Sequence, residues 1–382
     1  MSRCTHPAPV HQIGVRPMQV KLPSRLPSLD GWRAISIVLV LGSHCPRTSG
    51  FPPELRPVFQ LLFDGDLGVR FFFVISGFLI TWLLLREKKQ TGQINLGHFY
   101  ARRALRILPV YLAFLSVIAG LQYFTSYRQS PAAWIGNLSF TTNFIATPWP
   151  SGHLWSLSVE EQFYLIWPGV FLLWGITGKT THLLKSLAAA IVLAPICRVI
   201  TFKGYHPLVL TPAFPHFSFL NYFDSLAVGC ACAMLLAQDW KCLEKQLTRS
   251  SQLTGVIGLT LILSPYGFLK LPFSGKHSLL IGVGPTLQAF GFAILILHSI
   301  VSPSTSFYRM LNWTWLCWLG VLSYSLYIWQ QLFCASPEIF GWKQMWWMSF
   351  PGWLLPVFIM AITSYYGLER PLLKLRAYFR KP

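Results

Sequence analysis

The sequence predicts an all-α fold, a polytopic membrane helix bundle of about ten transmembrane helices plus one re-entrant or interfacial segment. Three observations carry that expectation. Apolar residues make up 53% of the 382 positions and charged residues only 11%. Long apolar runs recur from Trp32 to Leu368 with short polar breaks, as in a chain that crosses a bilayer repeatedly. The net charge of +19 fits cytoplasmic anchoring loops between such runs. Nucleic-acid binding, another reading of so basic a chain, has no basic-aromatic module or zinc spacing behind it. The eight cysteines are scattered, and Cys230 and Cys232 are too isolated to form a metal site, so no metal is expected. Most of them lie in apolar runs and read as small hydrophobes.

Residues 1–28, rich in Pro and basic residues and without a signal-peptide apolar core, read as a cytoplasmic tail. Eleven apolar segments follow, near 30–45, 67–85, 105–124, 132–146, 154–176, 186–201, 217–237, 253–269, 278–298, 314–335 and 346–368. Suppose all of them cross, starting from an inner N-terminus marked by Arg16, Lys21 and Arg25. The loop of Lys241, Lys245 and Arg249 and the tail of Lys374, Arg376, Arg380 and Lys381 then lie outside, against the positive-inside rule. The 132–146 segment is the weakest, being short and carrying Asn137, Ser139, Thr141, Thr142 and Asn143. If it is re-entrant or interfacial, with its irregular backbone covered by protein, the conflict disappears. The basic stretches at 86–89, 98–106, 179–185, 241–249, 309 and 374–381 then all fall inside. The expected organisation is one membrane domain over 29–375 and a basic tail over 376–382. Both termini face the cytoplasm of a multi-pass protein of the cell inner (plasma) membrane. No internal repeat or low-complexity tract is visible.

Within this frame the ionisable residues of the apolar runs draw the eye, since burying them in a bilayer is costly. His44 stands eleven positions after Arg33. On a helix that spacing brings the two within ~20° of one face and ~16 Å apart along the axis. The bland reading has Arg33 and His44 snorkelling to opposite interfaces. The functional reading makes His44 a base, because a neutral imidazole can take a proton from a hydroxyl near neutral pH. Glu160, ~10 Å below Leu154 by helical rise, is expected at a similar depth to His44 and in position to orient that imidazole. Arg102, Arg103 and Arg106 crowd one helix end at one-turn spacings and suit an anionic, phosphate-bearing ligand, although basic residues at cytoplasmic helix ends are also ordinary anchors. Ser76-Gly77 reads as a small pair that permits close helix approach. Asp224 is a lone acid expected to pair with an arginine, Arg70 or Arg198. Tyr324, Tyr327 and Trp329 read as packing or as an interfacial belt. No nucleophile elbow, phosphate-binding loop or dinucleotide fingerprint is present.

These segments, in this order, resemble the acyltransferase-3 family of integral membrane O-acyltransferases. The matching residues are Leu29-Asp30-Gly31-Trp32-Arg33 with His44, and Gly68-Val69-Arg70 running through Ser76-Gly77-Phe78. They continue with Phe99-Tyr100-Ala101-Arg102-Arg103 through Arg106 to Pro109, and His153-Leu154-Trp155 through Glu160-Glu161-Gln162 to Tyr164. The C-terminal part adds Leu322-Ser323-Tyr324-Ser325-Leu326-Tyr327-Ile328-Trp329 and Leu368-Glu369-Arg370-Pro371. The likeness covers Leu29 to Leu375. It implies transfer of an acyl group from cytoplasmic acyl-CoA, acetyl-CoA above all, to a hydroxyl of a glycan or lipid-linked sugar. Arg33 and His44 match the family's arginine–histidine motif, whose histidine acts on the acceptor hydroxyl, and Arg103 and Arg106 match its donor-associated arginine motif. Two positions depart from the pattern. Arg70 stands where many relatives have Asp, and Gln330 where many have His, so neither a carboxylate nor a second histidine role is carried over. No extra-cytoplasmic hydrolase-like domain is expected after the membrane part, and delivery to a distant glycan is then expected to need a partner or a carrier lipid.

The expected mechanism has acyl-CoA phosphates on Arg102, Arg103 and Arg106 and the pantetheine arm threading toward His44. His44 deprotonates the acceptor, Glu160 fixes the imidazole, and Arg33 guides the donor or steadies the polar path. An acyl-enzyme on Ser43, Ser158 or His44 is the two-step alternative. Two rivals stand beside it. One is a transporter or flippase for a polar lipid or saccharide, using the same groups along its pathway. The other is acyl transfer to a small diffusible molecule.

Overall fold

Apolar segments that leave water must satisfy every backbone N–H and C=O internally, which favours helices over any open strand. The computed structural model describes residues 26, 28–176, 180–203, 219–238, 240–268, 276–302 and 305–380, and among these no β-strand is found. The expected tail over residues 1–28 lies almost wholly outside the described residues, as do the last two positions of the tail over 376–382.

The helices run α1 Leu29–His44, α2 Arg56–Leu62, α3 Gly65–Thr91, α4 Leu96–Phe124, α5 Pro131–Leu138, α6 Trp149–Gly152, α7 Leu154–Ile176 and α8 Thr180–Phe202. They continue with α9 Phe219–Gln238, α10 Trp240–Arg249, α11 Ser251–Phe268, α12 Lys276–Val301, α13 Ser306–Leu311, α14 Thr314–Phe333, α15 Leu354–Ser364 and α16 Arg370–Leu375. The result is an all-α bundle. Five stretches among the described residues are long and apolar enough to cross a membrane: Pro53–Thr91, Leu96–Phe124, Thr181–Phe202, Phe219–Gln238 and Leu280–Val301. Of the other expected spans, α1 has only 16 residues, and α7 carries Glu160, Glu161 and Gln162.

Segment 132–146 forms no long helix. Its α5 has 8 residues and gives way to a 3-10 turn at Thr142–Phe144. Eight residues rise ~12 Å, far short of a ~30 Å hydrocarbon core. Protein covers its polar groups. Tyr111 donates to the Asn137 carbonyl at 2.6 Å, and Gln162 donates to the Phe140 carbonyl and to Asn143 Oδ1, each at 2.9 Å.

Helix α1 packs between α3 and α14, α3 against α9, and α12 against α8, α9 and α11. The α3–α9 crossing is close because both helices have glycine at the contact. A Cβ on Gly77 would strike the Leu226 carbonyl, and one on Gly229 would strike that of Val74. Beyond it, Arg198 of α8 grips Asp224 of α9 with Nη1 and Nη2 at 3.0 and 2.8 Å, and Thr286 of α12 donates to the same carboxylate at 2.5 Å. The structure thus chooses Arg198 for Asp224. Arg70 instead meets Asp66, four residues before it, at 2.7 Å and lies 4.4 Å over the Tyr222 ring. At the C-terminal end α15 passes through a π-helical turn, Tyr365–Glu369, which carries buried Glu369 to the hydroxyl of Ser325.

Candidate active site

Helix α1 carries a polar residue at each end, and each faces a different cavity. At the C-terminal end His44 lines a chamber of about 710 Å3 with Trp149, His153, Tyr327 and Gln330. Its Nδ1 lies 3.0 Å from the Val40 carbonyl of the preceding turn. A carbonyl only accepts, so that contact places the proton on Nδ1 and leaves Nε2 with a free lone pair. That is the tautomer a general base needs. The ring stands edge-on to Trp149 at 5.6 Å, and the Arg47 guanidinium lies 5.5 Å over the same indole.

One helix length away, Arg33 lines a smaller chamber of about 80 Å3 together with Arg103 and Arg106 of α4, Glu160 and Tyr164 of α7, and Ser76 of α3. Ser76 Oγ donates to Glu160 Oε1 at 2.5 Å and accepts from the Tyr164 hydroxyl at 3.0 Å. The Arg103 guanidinium lies 4.9 Å over the Tyr164 ring, and its Nη2 is buried without a protein partner. Arg33 Nη1 comes within 3.5 Å of Asp30. Three guanidiniums and the Glu160 carboxyl line this chamber, with Asp30 beside Arg33 and Glu161 near Arg103 offsetting part of the positive charge, a setting for an anionic or carbonyl-bearing ligand.

A third cavity, of about 780 Å3, opens at the basic end between Arg86, Glu87, His98, Arg102, Arg376 and Phe379. Arg102 is committed here, at 2.5 Å to Glu87 Oε2 and 2.7 Å to the Phe379 carbonyl. The three cavities adjoin. Arg103 lines both the basic and the central one, and Val69 and Tyr327 line both the central chamber and the one around His44.

The expected residues therefore assemble differently from the sequence reading. Arg33, Arg103, Arg106 and Glu160 share one chamber, and Arg102 lies in the next. His44 and Glu160 do not form the expected pair: the carboxyl takes Ser76 and the imidazole takes Val40. The reason is depth. His153 already shares the His44 chamber, so Glu160, seven positions on, lies ~10 Å further along α7, among the arginines. Tyr324 and Tyr327 form no surface belt; they line the central chamber, where Tyr327 bonds Ser156 at 2.5 Å. Sequence reasoning passed over Ser76, Tyr164 and Gln330 as site residues. Tyr164 carried a signal, standing one helical turn from Glu160 on the same face, and Gln330 another, standing where many relatives have His.

A helical membrane protein with a buried arginine cluster and a base-competent histidine on one helix defines a class rather than a single protein. The chain belongs to the acyltransferase-3 family, whose profile, described as an acyltransferase domain, matches residues 26–369. Among its relatives, the peptidoglycan O-acetyltransferase OatA of Listeria monocytogenes (serovar 1/2a, strain EGD-e) is 27% identical, over 80% of this chain and 48% of its own length. The O-acetyltransferase OatA of Staphylococcus aureus (strain NCTC 8325) is 28% identical, over 80% of this chain and 50% of its own length. YrhL of Bacillus subtilis (strain 168) is 26% identical, over 91% of this chain and 55% of its own length. The chain thus spans about half the length of the curated relatives it matches. No solved structure matches it significantly.

Proposed function

We propose that the chain moves an acyl group, acetyl in the simplest case, from acyl-CoA to a hydroxyl of a saccharide or lipid-linked sugar. The observation that carries this reading is the row of three adjoining cavities. The basic cavity has room for a nucleotide and offers Arg103 to its phosphates, with Arg102, held by Glu87 and the Phe379 carbonyl, adding positive charge beside it. The central chamber is narrow and suits the pantetheine arm, with Arg33 and Arg106 along its wall. The third holds the acceptor beside His44. By the positive-inside rule the basic cavity faces the cytoplasm, as do both termini, and the membrane is the cell's inner membrane.

The acceptor hydroxyl loses its proton to His44 Nε2 as its oxygen attacks the thioester carbonyl. The C–O bond forms, the C–S bond breaks, and the CoA sulfur leaves with the electron pair and takes up the proton that the His44 imidazolium gives back, directly or through water. Glu160 acts at a distance from this step, holding the arginines of the central chamber in place through charge and Ser76. Relatives named as peptidoglycan O-acetyltransferases support a carbohydrate acceptor.

The test is turnover of radiolabelled acetyl-CoA by purified protein in nanodiscs, with envelope glycans and lipids supplied. Wild type is expected to release CoA and label an acceptor. His44→Ala should lose ~100-fold or more of that rate, the usual share of a general base. No CoA turnover by wild type would overturn the reading and favour a transporter, which moves its substrate without consuming a thioester.

A further inference from the structure

Gln330 sits near the C-terminal end of α14, fully buried, on the wall of the His44 chamber. Neither its Oε1 nor its Nε2 has a partner within the protein. Its neighbour Gln331 shows what the local backbone can offer an amide, since its Oε1 takes the His153 N–H at 2.6 Å. Buried amides left with both ends unpaired are rare in folded proteins, and each one calls for an explanation.

His153 lines the same chamber and is also buried. Its Nε2 lies 3.0 Å from the Ile328 carbonyl, so Nε2 carries the proton and Nδ1 is left as a lone-pair acceptor. That Nδ1 has no partner either. The ring is held edge-on by Phe114 and Tyr327, each at 5.5 Å, which fixes the direction in which Nδ1 points.

Together the two side chains leave the two N–H bonds of one amide nitrogen and two lone-pair acceptors unpaired on the chamber wall. A phosphate or carboxylate brings no donor for the acceptors, and an ammonium brings no acceptor for the amide N–H. Only neutral groups that both donate and accept satisfy the set. The carboxamide holds its oxygen and nitrogen side by side in one plane, so it suits two polar groups on adjacent carbons of a sugar ring.

We propose that Gln330 and His153 form a positioning subsite for neighbouring hydroxyl or acylamino groups of the acceptor sugar that are not themselves acylated. The subsite rests on the saccharide reading above and sets which hydroxyl is presented to His44.

The test uses this chain in nanodiscs with acetyl-CoA and a panel of methyl glycosides: glucoside, galactoside, mannoside and N-acetylglucosaminide. The sugar acylated fastest by wild type is followed up with its monodeoxy analogues. Gln330→Met keeps the shape and removes both hydrogen-bonding ends, and Gln330→Glu keeps the acceptor alone. In Gln330→Met the sugar KM is expected to rise ~10-fold or more, with kcat at saturating sugar and the acetyl-CoA KM held within about twofold. One deoxy analogue should cost wild type a similar factor and cost the variant nothing further. Gln330→Glu should fall between the two. Because no protein partner is lost, Gln330→Met should unfold no lower than wild type. A lower unfolding temperature, or a sugar KM and deoxy series indistinguishable from wild type, overturns the subsite while leaving acyl transfer to sugars intact. CoA turnover by wild type with none of the sugars acylated overturns the saccharide reading itself, and the subsite with it.

Discussion

Ser76 donates to Glu160 and accepts from Tyr164, so one hydroxyl orders two side chains of the central chamber. A hydrogen bond to a charged group contributes about 1.5–3 kcal/mol. Ser76→Ala should therefore lower kcat/KM for acyl transfer ~10- to 100-fold, read in the acetyl-CoA assay. Ser36→Ala is the control, since that hydroxyl bonds only the Trp32 carbonyl of its own helix at 3.0 Å, and its activity should match wild type. The contrast also explains what the sequence could reveal at this scale. Arg33, Arg103, Arg106, His44 and Glu160 stand out because a charge or imidazole in an apolar run demands an explanation. A serine demands none, because it can satisfy itself on its own helix, as Ser43 does with the Val40 carbonyl at 2.8 Å. Ser76 looks the same in the chain and differs only through what α7 brings to it.

Among the helices, the Arg198–Asp224–Thr286 cluster ties α8, α9 and α12 at a fully desolvated point. Breaking a buried pair by removing one charge strands the other, at a cost of about 3–5 kcal/mol. Asp224→Asn should lower the unfolding temperature in detergent markedly, and the double variant Arg198→Leu with Asp224→Leu should recover much of the loss. If Asp224→Asn unfolds at the wild-type temperature, the cluster does not hold these helices together. The sequence marked Asp224 as needing an arginine but could not choose between two. One clue was available: Arg70 stands four residues after Asp66, the spacing at which a helix pairs its own charges. The choice of Arg198 is long-range and has no such local trace. The short 132–146 segment was legible for the opposite reason, because five polar residues in fifteen leave no apolar face for lipid. The His44–Glu160 pair was not legible because depth along α7 can be read only relative to the helix's own start, and His153, just before that start, shares the His44 chamber while Glu160 lies in the next.

For the whole molecule, the cavities meet at three shared side chains, Arg103 on one side and Val69 with Tyr327 on the other. Enlarging Val69 should separate binding from transfer. Val69→Phe overpacks a buried site at a cost of about 1–3 kcal/mol, and it narrows the boundary before His44. Acetyl-CoA binding, measured by equilibrium dialysis, should stay within twofold of wild type while acyl transfer falls at least tenfold. Equal losses in both would show that the cavities do not work in series. The same narrow chamber answers a problem that any polar passage through an energised membrane raises. A cell that stores its energy as a proton gradient cannot tolerate a wet conduit, because even a slow leak of H+ would discharge it. Arg33, Arg103 and Arg106 line the smallest of the three chambers, where Glu160 is the one carboxyl among the lining residues and Asp30 pairs with Arg33 from outside it. Fixed positive charge at a constriction repels protons and alkali cations, as arginines do in water-conducting pores. If an anionic donor enters here, the charges that draw it in would also act as an insulator, keeping the membrane closed to its own battery while the substrate passes.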